Sequence, residues 1–511
     1  MKKQTVIKAV ACLLLLLLPL VALPALSFAT EPMFSETFVG ALDEKYERLC
    51  TIDEPKVVLI GGSSVAFGFD SALIEETLGM PVVNFGLYAD LGTRLMLELA
   101  RGAIREGDIV IVAPETDPQT MSLYFNPDIT LRAVEERPSM LLHTSADSFF
   151  ACLGAMFGFA SDKLSYIQSG TSSRGSGIYD ARYFNEYGDM DGTLDLDGDG
   201  EGDFPREVNI LPRYFDENKR IALDADLADA EFLAYLADFR DLCHRRGASF
   251  YYAYAPMNAL AMTYAPDSEE TAAFADALTN ALGSDCVLGK PSDYVYEAGY
   301  FYDSNYHLNE AGAVMHTVQL LDDLLFARED YTTPLPVPPD APELPVYNVT
   351  YEGADDENCI YFTFELATEY DAALGMTREL GYRITGLTEL GKTQTTLTVP
   401  VGYNGYRVTL LGAGALADGV CRTLVLPDAF NALAEDDGIV FTFERGSFEG
   451  ASRLRRLDMY VDNPKCVQPP SLSGVHTPLP VHVKADSFFL YDSDYYWVQI
   501  KGDITLVGDL D

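Results

Sequence analysis

From Lys56 onward, short runs of β-branched and aliphatic residues alternate with stretches in which apolar positions recur at helical spacing. Lys56–Ile60, Pro81–Phe85 and Asp108–Ala113 are continuous apolar runs, and Ser249–Ala255 and the segment near Cys286–Leu288 follow later in the chain. Between them, helical spacing predicts helices over about Asp70–Leu78, Leu91–Arg105, Asp226–Arg246, Ser268–Leu282 and Asn309–Phe326. Strands apolar at every position, separated by helices, predict a parallel sheet covered on both faces. The span from about Thr116 to Ala222 is less regular and reads as insertions carried on the loops of that sheet. Prolines 334, 336, 338, 339, 342 and 345 then rule out a helix or central strand and predict a stiff extended linker.

Beyond the linker the pattern changes to short β-rich runs separated by Gly, Asp and Asn. Gly405–Gly412 leads through Ala415–Gly419 to Leu424–Pro427, and Gly446–Gly450 leads to Leu457–Val461, with a degenerate unit ending at Leu397–Pro400. The recurrence predicts a solenoid with one short strand per repeat. Leu479–Val483 and then Tyr491–Trp497 read as its capping end. The organisation expected is a leader at 1–29, an α/β domain at 30–328, a linker at 329–346 and a small β-rich repeat domain at 347–511.

The leader rests on Lys2, Lys3 and Lys8, a leucine-rich run to about Leu26, and small residues at Ser27 and Ala29. That layout predicts a secretory signal with cleavage after Ala29, an uncleaved anchor being the alternative, and so a secreted or cell-surface protein. The 511 residues exceed one ordinary core. A net charge of −43, spread along the chain, argues against nucleic acid as a partner and for solubility outside the cell. After cleavage seven cysteines remain, an odd number with wide spacing and no CxxC. That pattern argues against a disulfide framework or structural zinc site.

Two segments of the first domain carry candidate chemistry. Val58-Leu59-Ile60-Gly61-Gly62-Ser63-Ser64 is a strand entering a Gly-rich turn that ends on a serine, at the sheet edge where open α/β folds bind ligands. Phe301–Asn309 holds Asp303 and His307 in a polar loop before the last helix, so that His307 could take the proton of Ser64 and Asp303 orient it. An ordinary capped turn and an ordinary helix-entry loop, with Asn309 as cap, are the structural alternatives.

Together these segments resemble the SGNH (GDSL-like) hydrolase and acyltransferase superfamily over about residues 55–328. The resemblance is closest to divergent extracytoplasmic members akin to the DltD and alginate-acetylation groups. It implies a three-layer αβα, flavodoxin-like fold with Ser64 as nucleophile, His307 as base and Asp303 as its orienter. Val83–Ala89 resembles the second block, implying an oxyanion donor at the N–H of Ala89, with Gly86 beside it. Two positions depart from the pattern. Asp303 and His307 are four apart, with Ser304 in the usual acid position. Glu115 stands where the third block has an asparagine donor, for which Asn84 or Asn126 could substitute. If Glu115 faces the site its charge opposes the oxyanion; if it points away it pairs with a cation such as Arg94.

The implied activity is an extracytoplasmic serine esterase or O-acyltransferase on acylated envelope or environmental glycans, with no required cofactor. The alternative is a catalytically silent scaffold for adhesion or binding. Whether Ser64 Oγ reaches a His307 nitrogen separates the two. The second domain resembles BspA-type leucine-rich repeats of bacterial surface proteins, which implies contacts with surface proteins. Finally, Asp195, Asp197, Asp199 and Asp203 with Gly200 match the front of an EF-hand loop, with Arg206 in place of the twelfth-position glutamate. A structural calcium site and a solvated acidic turn are both open on that pattern.

Overall fold

Runs such as Val57–Gly61 leave no polar face to present to water, so they are stable only inside a sheet packed on both sides. In the computed structural model that is where they lie. The structure describes residues 24–511 except 170–172, 199, 212–213, 228, 343–348, 352, 372–375, 432–439, 471, 473, 495–496, 499 and 511. Most of the expected leader, residues 1–23, is outside the described residues. Two compact units emerge, Met1–Asn209 with Arg220–Pro342, and Ile210–Lys219 with Glu343–Asp511. The expected boundary at 328 therefore shifts. The proline-rich segment as far as Pro342 groups with the first unit, where the Tyr300 hydroxyl donates to the Pro339 carbonyl at 2.9 Å. The short segment Ile210–Lys219, with Leu211, Tyr214 and Phe215 buried, groups with the second.

The first unit is α/β. Its parallel sheet has the order β2-β1-β3-β4, from β1 (Val57–Gly61), β2 (Val82–Gly86), β3 (Ile109–Val112) and β4 (Ser249–Tyr252). A parallel bridge from Tyr252 to Val287 continues it at the segment expected as a fifth short strand, and β5 (Met257–Asn258) and β6 (Val295–Tyr296) form a separate parallel pair. The helices are α1 (Leu42–Thr51), α2 (Ser63–Gly68), α3 (Ser71–Leu78), α4 (Thr93–Ala100), α5 (Pro127–Ala133), α6 (Ala146–Ser169), α7 (Ala230–Arg245), α8 (Glu269–Leu282) and α9 (Glu310–Ala327). Val57, Leu59, Ile109 and Ile111 pack with Leu320, Leu321 and Leu324 of α9 on one face. Val58, Ile60, Val110 and Val112, which alternate with them, are equally buried. The expected helix over Leu91–Arg105 is shorter, and α6 lies in the span read as irregular.

The second unit is built from two sheets. One has the order β15-β13-β11-β8-β7 and the other β17-β16-β14-β12-β9. Their strands are β7 (Phe362–Asp371), β8 (Met376–Leu387), β9 (Thr396–Thr398), β10 (Gly402–Tyr403), β11 (Tyr406–Leu411), β12 (Thr423–Leu426), β13 (Phe441–Phe443), β14 (Arg456–Met459), β15 (Val467–Gln468), β16 (Leu479–Lys484) and β17 (Ile504–Leu510), with β10 a short antiparallel partner of β11. From β8 to β16, β10 aside, the strands alternate between the sheets along the chain, and all pairings except β7 with β8 in these two orders are parallel. Each coil thus carries two short strands where the sequence pattern suggested one. The second is as short as Phe441–Phe443, too brief for its alternation to register as a strand. Both sheets enclose one apolar core that includes Leu424, Phe443, Leu457, Val481 and Trp497.

Beneath the first unit's sheet edge, His316 of α9 is fully buried, with Nδ1 2.8 Å from the Gly68 carbonyl and Nε2 3.3 Å from that of Tyr254. Burial holds its imidazole down at about 4, against an ordinary 6.5. Below pH 6.5 the unfolded chain takes up a proton that the folded chain refuses until about 4, so stability is lost as pH falls through that window. Denaturant unfolding is expected to show a loss of about 3 kcal/mol between the top and bottom of the window from this group. In His316→Gln the difference between the two pH values should shrink by that amount.

Candidate active site

The end of β1 and the start of α2 put two serines at the sheet edge, and helical geometry separates their fates. Successive helical side chains are about 100° apart, so only one can face the crevice between the ends of β1 and β3. That residue is Ser63, half-buried at the surface of the crevice. Its Oγ lies 2.8 Å from His307 Nε2. Ser64 is turned inward, fully buried, and its Oγ has no hydrogen-bond partner. The hydroxyl that meets His307 is therefore that of Ser63 and not, as expected, that of Ser64, because the helix begins at Ser63 rather than after the turn.

His307 and Asp303 stand as expected, with His307 Nδ1 2.8 Å from Asp303 Oδ1. A proton on Nδ1 held by the carboxylate leaves Nε2 free to accept from Ser63. The four-residue spacing works because Ser304 Oγ accepts the backbone N–H groups of His307 (2.9 Å) and Tyr306 (3.2 Å), which tightens the turn between acid and base. Two further residues complete the group. Phe67, one turn along α2 from Ser63, stacks on the imidazole at 4.2 Å and 8°. The Tyr179 hydroxyl donates to Asp303 Oδ2 at 2.6 Å, so both carboxylate oxygens are engaged. Tyr179 comes from the long β3–β4 excursion, and nothing in its local sequence marks it.

The oxyanion assignments fare unevenly. Asn84 Nδ2 donates to the Val65 carbonyl (2.9 Å) and to Asp189 Oδ1 (2.7 Å), while Asn84 Oδ1 accepts the Gly86 N–H (2.9 Å). Both Asn84 and Gly86 are thus spent on holding β2 against α2, which corrects their proposed role. Asn126 caps α5, its Oδ1 accepting from Asp128 and Ile129. Ala89 remains: it opens a 3-10 turn (Ala89–Leu91), so its N–H has no acceptor within that turn. Its segment is tied to the end of β1 by the Leu87 N–H, 3.0 Å from the Gly61 carbonyl.

Glu115, three residues past β3, faces the site and not Arg94, which pairs with Glu98 at 3.1 Å. Glu115 Oε1 accepts the Ser64 N–H at 2.8 Å and lies 3.3 Å from Ser63 Oγ; Oε2 is buried without a partner. The glycines of the turn make room for this. A Cβ on Gly61 would sit 2.5 Å from the Ala113 carbonyl oxygen, and one on Gly62 would sit 2.0 Å from Glu115 Oε2.

The acidic loop is looser. Asp195, Asp197 and Asp203 bring carboxylate oxygens within 4.8 Å of one another, whereas Asp199 is outside the described residues. Asp195 accepts the N–H groups of Gly198 and Gly200, and Asp203 accepts the Tyr183 hydroxyl. Arg206, at the twelfth position, turns away and is buried near the Ser63–His307–Asp303 group.

There its guanidinium donates to the carbonyls of Phe67 (3.0 Å), Leu308 (2.6 Å) and Met190 (2.9 Å), with its charge 5.2 Å from the Phe67 ring centroid. One side chain thus ties the serine helix, the histidine loop and the β3–β4 excursion together. In Arg206→Met three buried carbonyls lose their donor, and unfolding stability is expected to fall by at least about 3 kcal/mol, measured by denaturant titration. No family model, curated protein or solved structure matches the chain.

Proposed function

We propose that the first unit is a serine esterase or O-acyltransferase with an SGNH-like, three-layer αβα fold, in which Ser63 is the nucleophile, His307 the base and Asp303 its orienter. The observation that carries this reading is the unbroken chain Ser63 Oγ–His307 Nε2 and His307 Nδ1–Asp303 Oδ1, each at 2.8 Å. Ser63 Oγ attacks an acyl carbonyl carbon while His307 Nε2 takes its proton. The C–O bond of the ester then breaks, and His307 returns the proton to the departing alcohol. Water or a second hydroxyl repeats the sequence in reverse on the acyl-serine, giving hydrolysis or transfer.

Acylated glycans of the envelope or surroundings are the substrates this reading favours, in an exported protein whose repeat unit contacts surface proteins and which binds no nucleic acid. The leader pattern, the acidic charge and the two-sheet coils support it. Among the described residues no helix is long and apolar enough to cross a membrane. The same reading gives the Asp195–Asp203 loop a weak structural calcium ion, held by Asp195, Asp197 and Asp203.

Ser63→Ala is expected to abolish turnover of short acyl esters and labelling by a fluorophosphonate, with the melting temperature unchanged. Ser64→Ala should keep both, and lose no stability, because the hydroxyl removed is buried and unbonded. Equal turnover by wild type and Ser63→Ala would refute the assignment. For the acidic loop, calorimetry with millimolar calcium should give a small heat and a thermal shift; neither appearing reduces it to a solvated turn.

A further inference from the structure

A carboxylate can orient a base only if it is itself held, because an aspartate side chain turns about its last bond and can offer either oxygen to the imidazole. The Ser304 bonds to the N–H groups of Tyr306 and His307 shape the backbone between acid and base, not the carboxylate. The grip on the carboxylate comes from a distant part of the chain. Oδ1 of Asp303 lies 2.8 Å from His307 Nδ1, and Oδ2 accepts the Tyr179 hydroxyl at 2.6 Å. The same phenolic oxygen is 3.2 Å from His307 Nδ1. Nδ1 therefore faces two oxygens, which favours the tautomer that carries its proton there and keeps the Nε2 lone pair for Ser63.

Tyr179 is held by its ring and by its backbone. The ring packs with Phe67 and Phe38, at centroid separations of 5.6 and 5.9 Å. On either side of it in sequence, the N–H groups of Gly175 (2.9 Å) and Ala181 (3.3 Å) donate to one carbonyl, that of Glu36. A Cβ on Gly175 would sit 2.0 Å from the Tyr179 carbonyl oxygen, so a glycine is needed for the turn to close. Asp180, the next residue, accepts both Nε (2.9 Å) and a terminal nitrogen (2.8 Å) of Arg182.

A hydroxyl on Oδ2 has two opposed effects on the base. It spreads the carboxylate's charge, which alone weakens the support that Asp303 gives an imidazolium; it also fixes the direction of that support. We propose that fixing dominates and that Tyr179 is a positioning residue, which sets the Asp303 carboxylate against His307 Nδ1 and with it the plane and tautomer of the imidazole that serves Ser63. It acts through Asp303 and exchanges no proton with the substrate. This inference rests on the assignment of Ser63 as nucleophile and His307 as its base.

The test uses Tyr179→Phe in the full chain, which keeps the ring and removes one hydroxyl. Fluorophosphonate labelling at Ser63, followed by mass spectrometry, should slow about tenfold. Hydrolysis of 4-nitrophenyl acetate should show the fall in kcat, with KM unchanged. In Asp303→Asn, where the carboxylate to be held is gone, adding Tyr179→Phe should slow labelling no further. Labelling of Tyr179→Phe at or above the wild-type rate would show charge spreading, not positioning, and overturn the role of Tyr179. A rise in KM in place of the fall in kcat, or the same cost in the Asp303→Asn background, would overturn it too and leave Ser63 in place. Absence of labelling at Ser63 in folded wild type would overturn the nucleophile assignment, and the role of Tyr179 with it.

Discussion

Three pieces of chain that share no secondary structure meet at the edge of the first unit's sheet, and the Arg206 guanidinium is what they have in common. Its donors end the serine helix at the Phe67 carbonyl, the histidine loop at Leu308 and the excursion at Met190. Burying that charge is costly, and burial lowers the arginine's hold on its proton. The cost is offset by three carbonyls that would otherwise be unsatisfied and by the face of Phe67. The same Phe67 ring stacks on His307, so the guanidinium and the imidazole share one aromatic neighbour.

The sheet order places this assembly. Strands β1 and β3 are neighbours, with β2 and β4 outside them, so the connections leaving β1 and β3 depart in opposite directions and open a crevice at their ends. Ser63 leaves from one lip and Glu115 from the other. Lys45 closes the β2 side, donating to the carbonyls of Gly86 (2.5 Å) and Gly188 (2.7 Å). Burial lowers that amine to about 7, and Asp189 opposes the shift. The buried polar layer of Lys45, Asn84, Asp189 and Ser71 thus fixes the β2 end against α2, which is why its amides have no donor to spare for chemistry.

Much of this was legible in the sequence, because the strands are apolar at nearly every position and the helices keep their spacing. Asp303 and His307 could be read from a polar loop before a capped helix. Ser63 and Ser64 could not be told apart, since the choice depends on the residue at which the helix starts, and a doubled serine carries no periodicity. Tyr179 and Arg206 were invisible for a different reason. Each reaches at least one partner more than a hundred residues away along the chain, brought beside it by the fold. Arg206 even stood in the wrong context, as the misfit of an acidic loop. Helix α6 was missed because Gly154 and Gly158 lower its local preference, and its exposed face carries Phe150, Leu153 and Phe157 where polar residues would have marked a boundary.

The alternation of strands between two sheets in the second unit gives that part of the molecule a different kind of cooperativity. Among the described residues each strand of a sheet pairs with those of the neighbouring coils, and β17 pairs with β16. A stack of this kind frays from its ends like a zipper, with each coil protected by those beyond it. Strain applied to an outer coil is therefore absorbed one coil at a time before it reaches the inner coils around Leu424 and Phe443.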